Sequence, residues 1–100
     1  MLRITVEEDS RFVTIKLEGK VAGSWVEEFD RTWRSLEPSW GAKKFSLDLR
    51  GVSFMDSEGR HLLHEIYERT SATFLTNSPL ATYFAEEAMR ASTKNGHKGA

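Results

Sequence analysis

Apolar residues in this chain switch repeatedly between a spacing of two and a spacing of three to four, and the order of the switches leaves few folds available. Leu2, Ile4 and Val6 alternate with Arg3, Thr5 and Glu7, the pattern of a half-buried strand. Asp9-Ser10 is a turn signal. Val13, Ile15 and Leu17 then alternate again, with β-branched residues that suit a pleated surface. The two runs predict a hairpin, and Gly19 to Gly23 reads as a connection. Ser24, followed by Glu27, predicts a capping box at the start of a helix. Trp25, Val26, Phe29, Trp33 and Leu36 fall on one face of that helix, and Pro38 prevents its continuation.

The alternation returns at Phe45, Leu47 and Leu49. After Arg50-Gly51, the run Val52-Ser53-Phe54-Met55 is a short apolar approach to a polar motif. Leu62, Leu63, Ile66 and Tyr67 are the apolar stripe of a second helix, expected from about Glu58 to Ser71. Ala72 to Thr76 reads as a short fourth strand. Ser78-Pro79 opens a third helix, because proline at the first helical position sacrifices no hydrogen bond. Leu80, Phe84 and Ala88 share its face, with Tyr83 alongside. From Ala91 the sequence turns small, polar and glycine-containing, and a disordered tail is expected there. One domain, 1–90, with a tail, 91–100, is the organisation these signals predict.

The resulting order, ββαβαβα, implies an α/β fold with right-handed crossovers. Its four-stranded sheet is mixed but mostly parallel, with the first strand as an antiparallel hairpin partner and the helices mainly on one face. The core is expected at Leu2, Ile4, Val13, Ile15, Leu17, Phe29, Phe45, Leu47, Leu49, Leu63 and Ile66. Of the tryptophans, Trp25 and Trp33 are assigned to the core by their helical face. Trp40 is less constrained, either covering the sheet edge or standing open to a partner.

Charge and composition narrow the function. The net charge of −1, from 14 basic and 15 acidic residues, lacks the basic excess that nucleic-acid binding rests on. The chain has no cysteine, which excludes disulfides and thiolate zinc sites. No apolar run approaches the ~20 residues that span a bilayer. The start, MLRITVEEDS, alternates like a strand and lacks the apolar segment of a signal peptide, so the cytoplasm is the expected location.

The chemistry concentrates in Phe54-Met55-Asp56-Ser57-Glu58-Gly59. A strand-like run before this stretch and a helix after it place it in a βα loop at a helix N-terminus, where free N–H groups and the dipole attract anions. Asp56 or Ser57 can cap the helix, and Glu58 in the first turn gains ~0.3–1 kcal/mol from the dipole. Gly59 permits close approach of another chain or a ligand. A capped helix start accounts for these letters by themselves. Glu58, His61, His64, Glu65 and Glu68 lie on the polar side of the second helix, and His61 and His64 are neighbours. Their spacing is not that of His-Glu-x-x-His, so a solvated face is expected and no metal. Gly-x-Ser-x-Gly and glycine-rich phosphate loops are absent, so no catalytic residue, cofactor or enzyme activity is expected.

The stretch Phe45 to Leu63 resembles the STAS domain, the family of sulfate transporters and anti-sigma factor antagonists. The matching residues are Asp48-Leu49-Arg50-Gly51-Val52, read as a turn, and Phe54-Met55-Asp56-Ser57-x-Gly59. The element order agrees, and the likeness spans about Leu2 to Arg90. The resemblance implies a bacterial protein-interaction module acting in the regulation of transcription. In such modules the second hydroxyl of the motif is phosphorylated by a partner kinase that is also an anti-sigma factor. Here Glu58 occupies that acceptor position and offers no hydroxyl, which makes it a constitutive mimic or a dead switch. Ser57 matches the first hydroxyl and is the alternative acceptor. The partner-binding loop implied by the resemblance is Asp56, Ser57, Glu58, Gly59 and Arg60, and its partner a serine-kinase-type anti-sigma factor or related regulator. The chain departs from the family in Arg60-His61, where small or apolar residues are usual, and in Ala22-Gly23, where an acidic residue is common. The other readings open to such a domain are a small-ligand or nucleotide-binding module and a subunit of a transporter assembly.

Overall fold

The computed structural model describes residues 1–98, with side chains described over residues 1–90. The elements are β1 (Leu2–Glu8), β2 (Phe12–Val21), α1 (Ser24–Ser35), a 3-10 turn (Glu37–Ser39), β3 (Lys44–Met55), α2 (Ser57–Thr70), β4 (Thr73–Leu75) and α3 (Pro79–Lys98). The sheet order is β1-β2-β3-β4; β1 pairs with β2 antiparallel, and β2, β3 and β4 run parallel. The predicted order and sheet type are the ones observed. At the hairpin, Asp9 Oδ1 accepts from the N–H groups of Arg11 and Phe12, both at 2.8 Å, so the aspartate makes the turn with its side chain.

Burial alternates along the strands as it must when helices cover one face. Val13, Ile15 and Leu17 are buried while Phe12 and Lys16 are exposed. α2 packs against β3, α1 and α3 on the covered side. The expected core residues are buried except Ile4, which is half-buried on the edge strand, and Trp25, which is exposed. The core also takes in Val21, Trp33, Val52, Met55, Leu62, Phe84 and the alanines Ala72, Ala81, Ala85 and Ala88.

Several local expectations are corrected. β2 continues through Gly19 to Val21, so the connection to α1 is much shorter than the glycines suggest. β3 is one strand across Arg50-Gly51, which is no turn. Lys16 pairs with Asp48 but Glu18 with Gly51, and Gly19 with Val52 but Lys20 with Phe54. β3 thus carries an extra residue twice, and each bulge shifts which residues face the core. This is why the buried apolar positions run Phe45, Leu47, Leu49, Val52 and Met55 rather than strictly alternating. Gly51 lies against Glu18: a Cβ there would stand 2.9 Å from Glu18 Cγ and 3.3 Å from its Cα.

Ser24 does not cap α1. Gly23 holds the cap position, at φ 62°, with no side-chain hydrogen bond, and Ser24 is already helical. Trp25 is 38% exposed, because it lies at the lip of the helix rather than on its buried stripe of Phe29 and Trp33. Trp40 is half-buried, stacked on Trp33 with centroids 4.0 Å apart, and Arg69 lies over its other side at 5.6 Å. Leu80 is exposed: α3 is turned so that Ala81, Phe84, Ala85 and Ala88 face inward, where small side chains admit close packing. The helix opens at Pro79 as expected, and Ser78 Oγ accepts from Ala81 N–H at 3.1 Å. The backbone of α3 runs to Lys98, beyond the boundary expected at Arg90. The expected disordered tail falls on residues 91–100, whose side chains lie outside the described residues.

Candidate functional site

α2 begins where β3 ends, and the connection is a single residue, Asp56. Its backbone is extended and its carboxylate is the helix cap: Oδ1 accepts from Gly59 N–H at 2.8 Å. Oδ2 accepts from Gly23 N–H at 3.0 Å. One carboxylate therefore ties the N-termini of α1 and α2 together. Asp56 N–H donates to the Val21 carbonyl at 3.1 Å, which fixes the loop to the end of β2. These backbone donors, Gly23 first and Gly59 second, hold the Asp56 carboxyl below the usual carboxylate range.

That direction sets a pH dependence. A group whose folded pKa lies below its unfolded value stabilises the fold above the unfolded pKa, and the contribution is lost as pH falls through the folded value. The contribution of Asp56 is therefore complete at neutral pH and fades below about pH 4. Asp56→Asn keeps a capping side chain but not the charge. We expect it to be less stable than the wild type at neutral pH in urea titrations, with a gap that narrows progressively below pH 4. A gap independent of pH would assign the carboxylate no role beyond its shape.

Gly59 is buried at the first turn of α2. A Cβ there would meet the Val21 carbonyl oxygen and Met55 Cγ, each at 2.8 Å, and Val21 Cγ1 at 3.0 Å. The close approach that this glycine permits is thus to the chain's own β2 and β3. Ser57 and Glu58 are both exposed. Ser57 is the first helical residue and Asp56 takes the capping role, so the two candidates for the cap are resolved in favour of the aspartate. Arg60 is half-buried and reaches back, Nη1 to the Met55 carbonyl at 3.3 Å.

Glu58 opens onto a groove of about 290 Å³ between α1 and α2, lined also by Val26, Glu27, Asp30, Arg34, His61, Leu62 and Glu65. Arg34 is committed there. It binds Asp30 at 3.0 Å and Glu65 at 3.1 Å, and these carboxylates raise its pKa above the ordinary value. Glu27 and Glu58 enter no ion pair among the described residues. The groove mouth beside the loop is therefore acidic. His61 faces this groove, whereas His64 is half-buried and turned toward α3, its Nδ1 3.0 Å from the Ala88 carbonyl. The five polar residues of α2 do not form one solvated face, because α3 covers the side on which His64 lies. Among the described residues no group of three or more His, Asp or Glu side chains is placed to hold a metal ion. No helix among them is long and apolar enough to cross a membrane.

The structure brings Asp56, Ser57, Glu58, Gly59 and Arg60 into one short segment, as a contiguous motif must be. It adds Val21 and Gly23, which sequence reasoning passed over as connection. In the sequence, Gly19 to Gly23 reads as a connection, and Ala22-Gly23 stands out only as a departure from the family.

A mixed four-stranded sheet covered on one side, with an Asp-capped helix springing from the end of its central strand, is the arrangement of a STAS domain. The family model for the STAS domain matches residues 3–75, and the chain belongs to that family. The solved structure of the anti-sigma factor antagonist SpoIIAA in its unphosphorylated form is similar, with a TM-score of 0.66 and 22% identity over 81% of this chain and 79% of that one. An anti-sigma factor antagonist from Mycobacterium paratuberculosis gives a TM-score of 0.67 and 18% identity over 79% of this chain and 70% of that one. At such identities the likeness is one of fold. No curated protein matches the sequence significantly.

Proposed function

We propose that this STAS domain is a non-catalytic regulatory module of the anti-sigma factor antagonist type, and that it has lost phospho-switching at its own loop. It binds a protein partner, a serine-kinase-type anti-sigma factor or a related regulator, through Asp56 to Arg60 and the adjoining face of α2, in the cytoplasm of a bacterium. The observation that carries this reading is Glu58. It stands exposed at the second position of α2, in the place where the resemblance puts the acceptor hydroxyl, on a loop that keeps the motif's Asp56 and Gly59. Glutamate carries about one negative charge where phosphoserine carries ~1.5–2, and it lacks the three phosphate oxygens. The unpaired Glu27 and Glu58 favour a partner that presents a cationic group to this corner.

Radiolabelled ATP and an anti-sigma-type serine kinase test the proposal on wild type, Glu58→Ser and Ser57→Ala. The wild type is expected to stay unlabelled and Glu58→Ser to take up label, because Asp56 and Gly59 hold the loop in either case. Label on the wild type that vanishes in Ser57→Ala would make Ser57 the acceptor and overturn the loss of switching. A Glu58→Ser domain that neither takes label nor is retained by the immobilised kinase would remove the support for a kinase partner.

A further inference from the structure

We propose that the outer edge of β1 is a homodimer interface, through which two copies of this chain join their sheets antiparallel about a two-fold axis at Thr5. β1 is hydrogen-bonded on one side only, to β2, and lies at the end of the sheet. Which of its backbone groups point outward follows from two bonds that bracket the hairpin. Lys20 N–H donates to the Met1 carbonyl at 3.1 Å, and Asp9 N–H to that of Phe12 at 3.0 Å. With the observed register, the hydrogen-bonded pairs to β2 therefore fall at Arg3, Thr5 and Glu7. The N–H and C=O groups of Leu2, Ile4, Val6 and Glu8 face away from the sheet.

A two-fold axis through Thr5 opposes Leu2 to Glu8 and Ile4 to Val6 of the second copy. These are the outward-facing residues, so each opposition forms a hydrogen-bonded pair. The close, non-hydrogen-bonded pairs are then Thr5 with Thr5 and Arg3 with Glu7, the latter twice. Threonine pairs and opposite charges are the favourable partners at such positions. Ile4 is half-buried and Val6 37% exposed, so their apposition covers apolar surface that one copy leaves open. Glu8, at the end of the register, brings its own partners, Lys43 at 2.8 Å and Ser39 at 2.7 Å. Shifting the register by one residue, which moves the axis by half a residue, would oppose outward to inward groups. Shifting it by two, which puts the axis at Ile4 or Val6, would separate Arg3 from Glu7.

Of the devices that usually guard an edge, Leu2–Glu8 contains no proline, no lysine and no bulge, and its charged residues Arg3 and Glu7 are the ones that the two-fold pairs with each other. The other edge of the sheet, β4, is only three residues long, which disfavours head-to-tail growth and favours the closed pair.

Sedimentation of the wild type across the micromolar range is expected to show a monomer–dimer equilibrium. Arg3→Glu and Glu7→Arg should each weaken self-association about tenfold or more, because each places like charges opposite one another twice. An equimolar mixture of the two variants should associate again, since every such pair then carries opposite charges. Concentration-dependent protection of the Ile4 and Val6 amides in hydrogen exchange of the wild type reads the same interface without substitution. A wild type that stays monomeric, variants that dimerise as the wild type does, a mixture of folded variants that remains monomeric, or Ile4 and Val6 amides that exchange freely in the dimer would each overturn the proposal.

Discussion

Leu47→Ala is expected to destabilise the domain by ~2–5 kcal/mol, through lost burial and the cavity left behind. Leu47 is fully buried in β3, opposite Ile15 of β2 on one side and Phe74 of β4 on the other. It thus sits at the seam of both parallel pairings. Neither neighbour can collapse easily into the space, because Ile15 is itself fully buried and Phe74 is stacked on Tyr67 with centroids 6.0 Å apart. A urea titration measures the change. A loss below about 1 kcal/mol would contradict a central, tightly packed β3.

Leu47 was legible in the sequence because strands that bury one face write a period of two. That held for β1, for β2 up to Leu17, and for the first half of β3. It failed where β3 bulges. An extra residue between Asp48 and Gly51, and another before Phe54, break the period without ending the strand. Read as a pattern, that region looked like a turn and a separate apolar run. At Gly51 the strand continues paired with Glu18, a neighbour far away in sequence that no local pattern names. The same limit explains α1. Ser24 and Glu27 are good capping letters, but the helix starts where Gly23 N–H meets the carboxylate of Asp56, and that residue is 33 positions away.

The candidate site divides along the same line. Its exposed residues were legible, because a helix N-terminus with an acidic first turn is a local signature. Its supports were not. Asp56 was a candidate cap, but nothing in the sequence shows that one carboxylate serves two helices. Gly59 was recognised as a point of close approach, but the approaching group could not be named. Both answers come from the end of β2, which the parallel pairing with β3 brings beside the loop. A change on the buried side of this loop should therefore act on stability first and on presentation of Glu58 through it.

Gly59→Ala tests that order. In an ordinary helix interior, alanine is favoured over glycine by about 1 kcal/mol. Here the sign is expected to reverse, with a net destabilisation of ~1–3 kcal/mol from overpacking. The added Cβ would lie 2.8 Å from a backbone atom, the Val21 carbonyl oxygen. That oxygen also accepts from Asp56 N–H, so moving it aside weakens the bond that anchors the loop. Met55 Cγ, also 2.8 Å from the added atom, belongs to a fully buried side chain with little room to yield. Relief by lifting α2 would stretch the Asp56 bonds to Gly59 and Gly23 together, since both end on one carboxylate. Ser57→Ala is the control. It lies in the same turn, is exposed and leaves the cap to Asp56, so its effect should stay within about 0.5 kcal/mol. Urea titrations of the two variants measure the contrast. If Gly59→Ala proves as stable as the wild type or more so, the loop does not depend on the close contact with Val21, and Asp56 alone holds α2 in place.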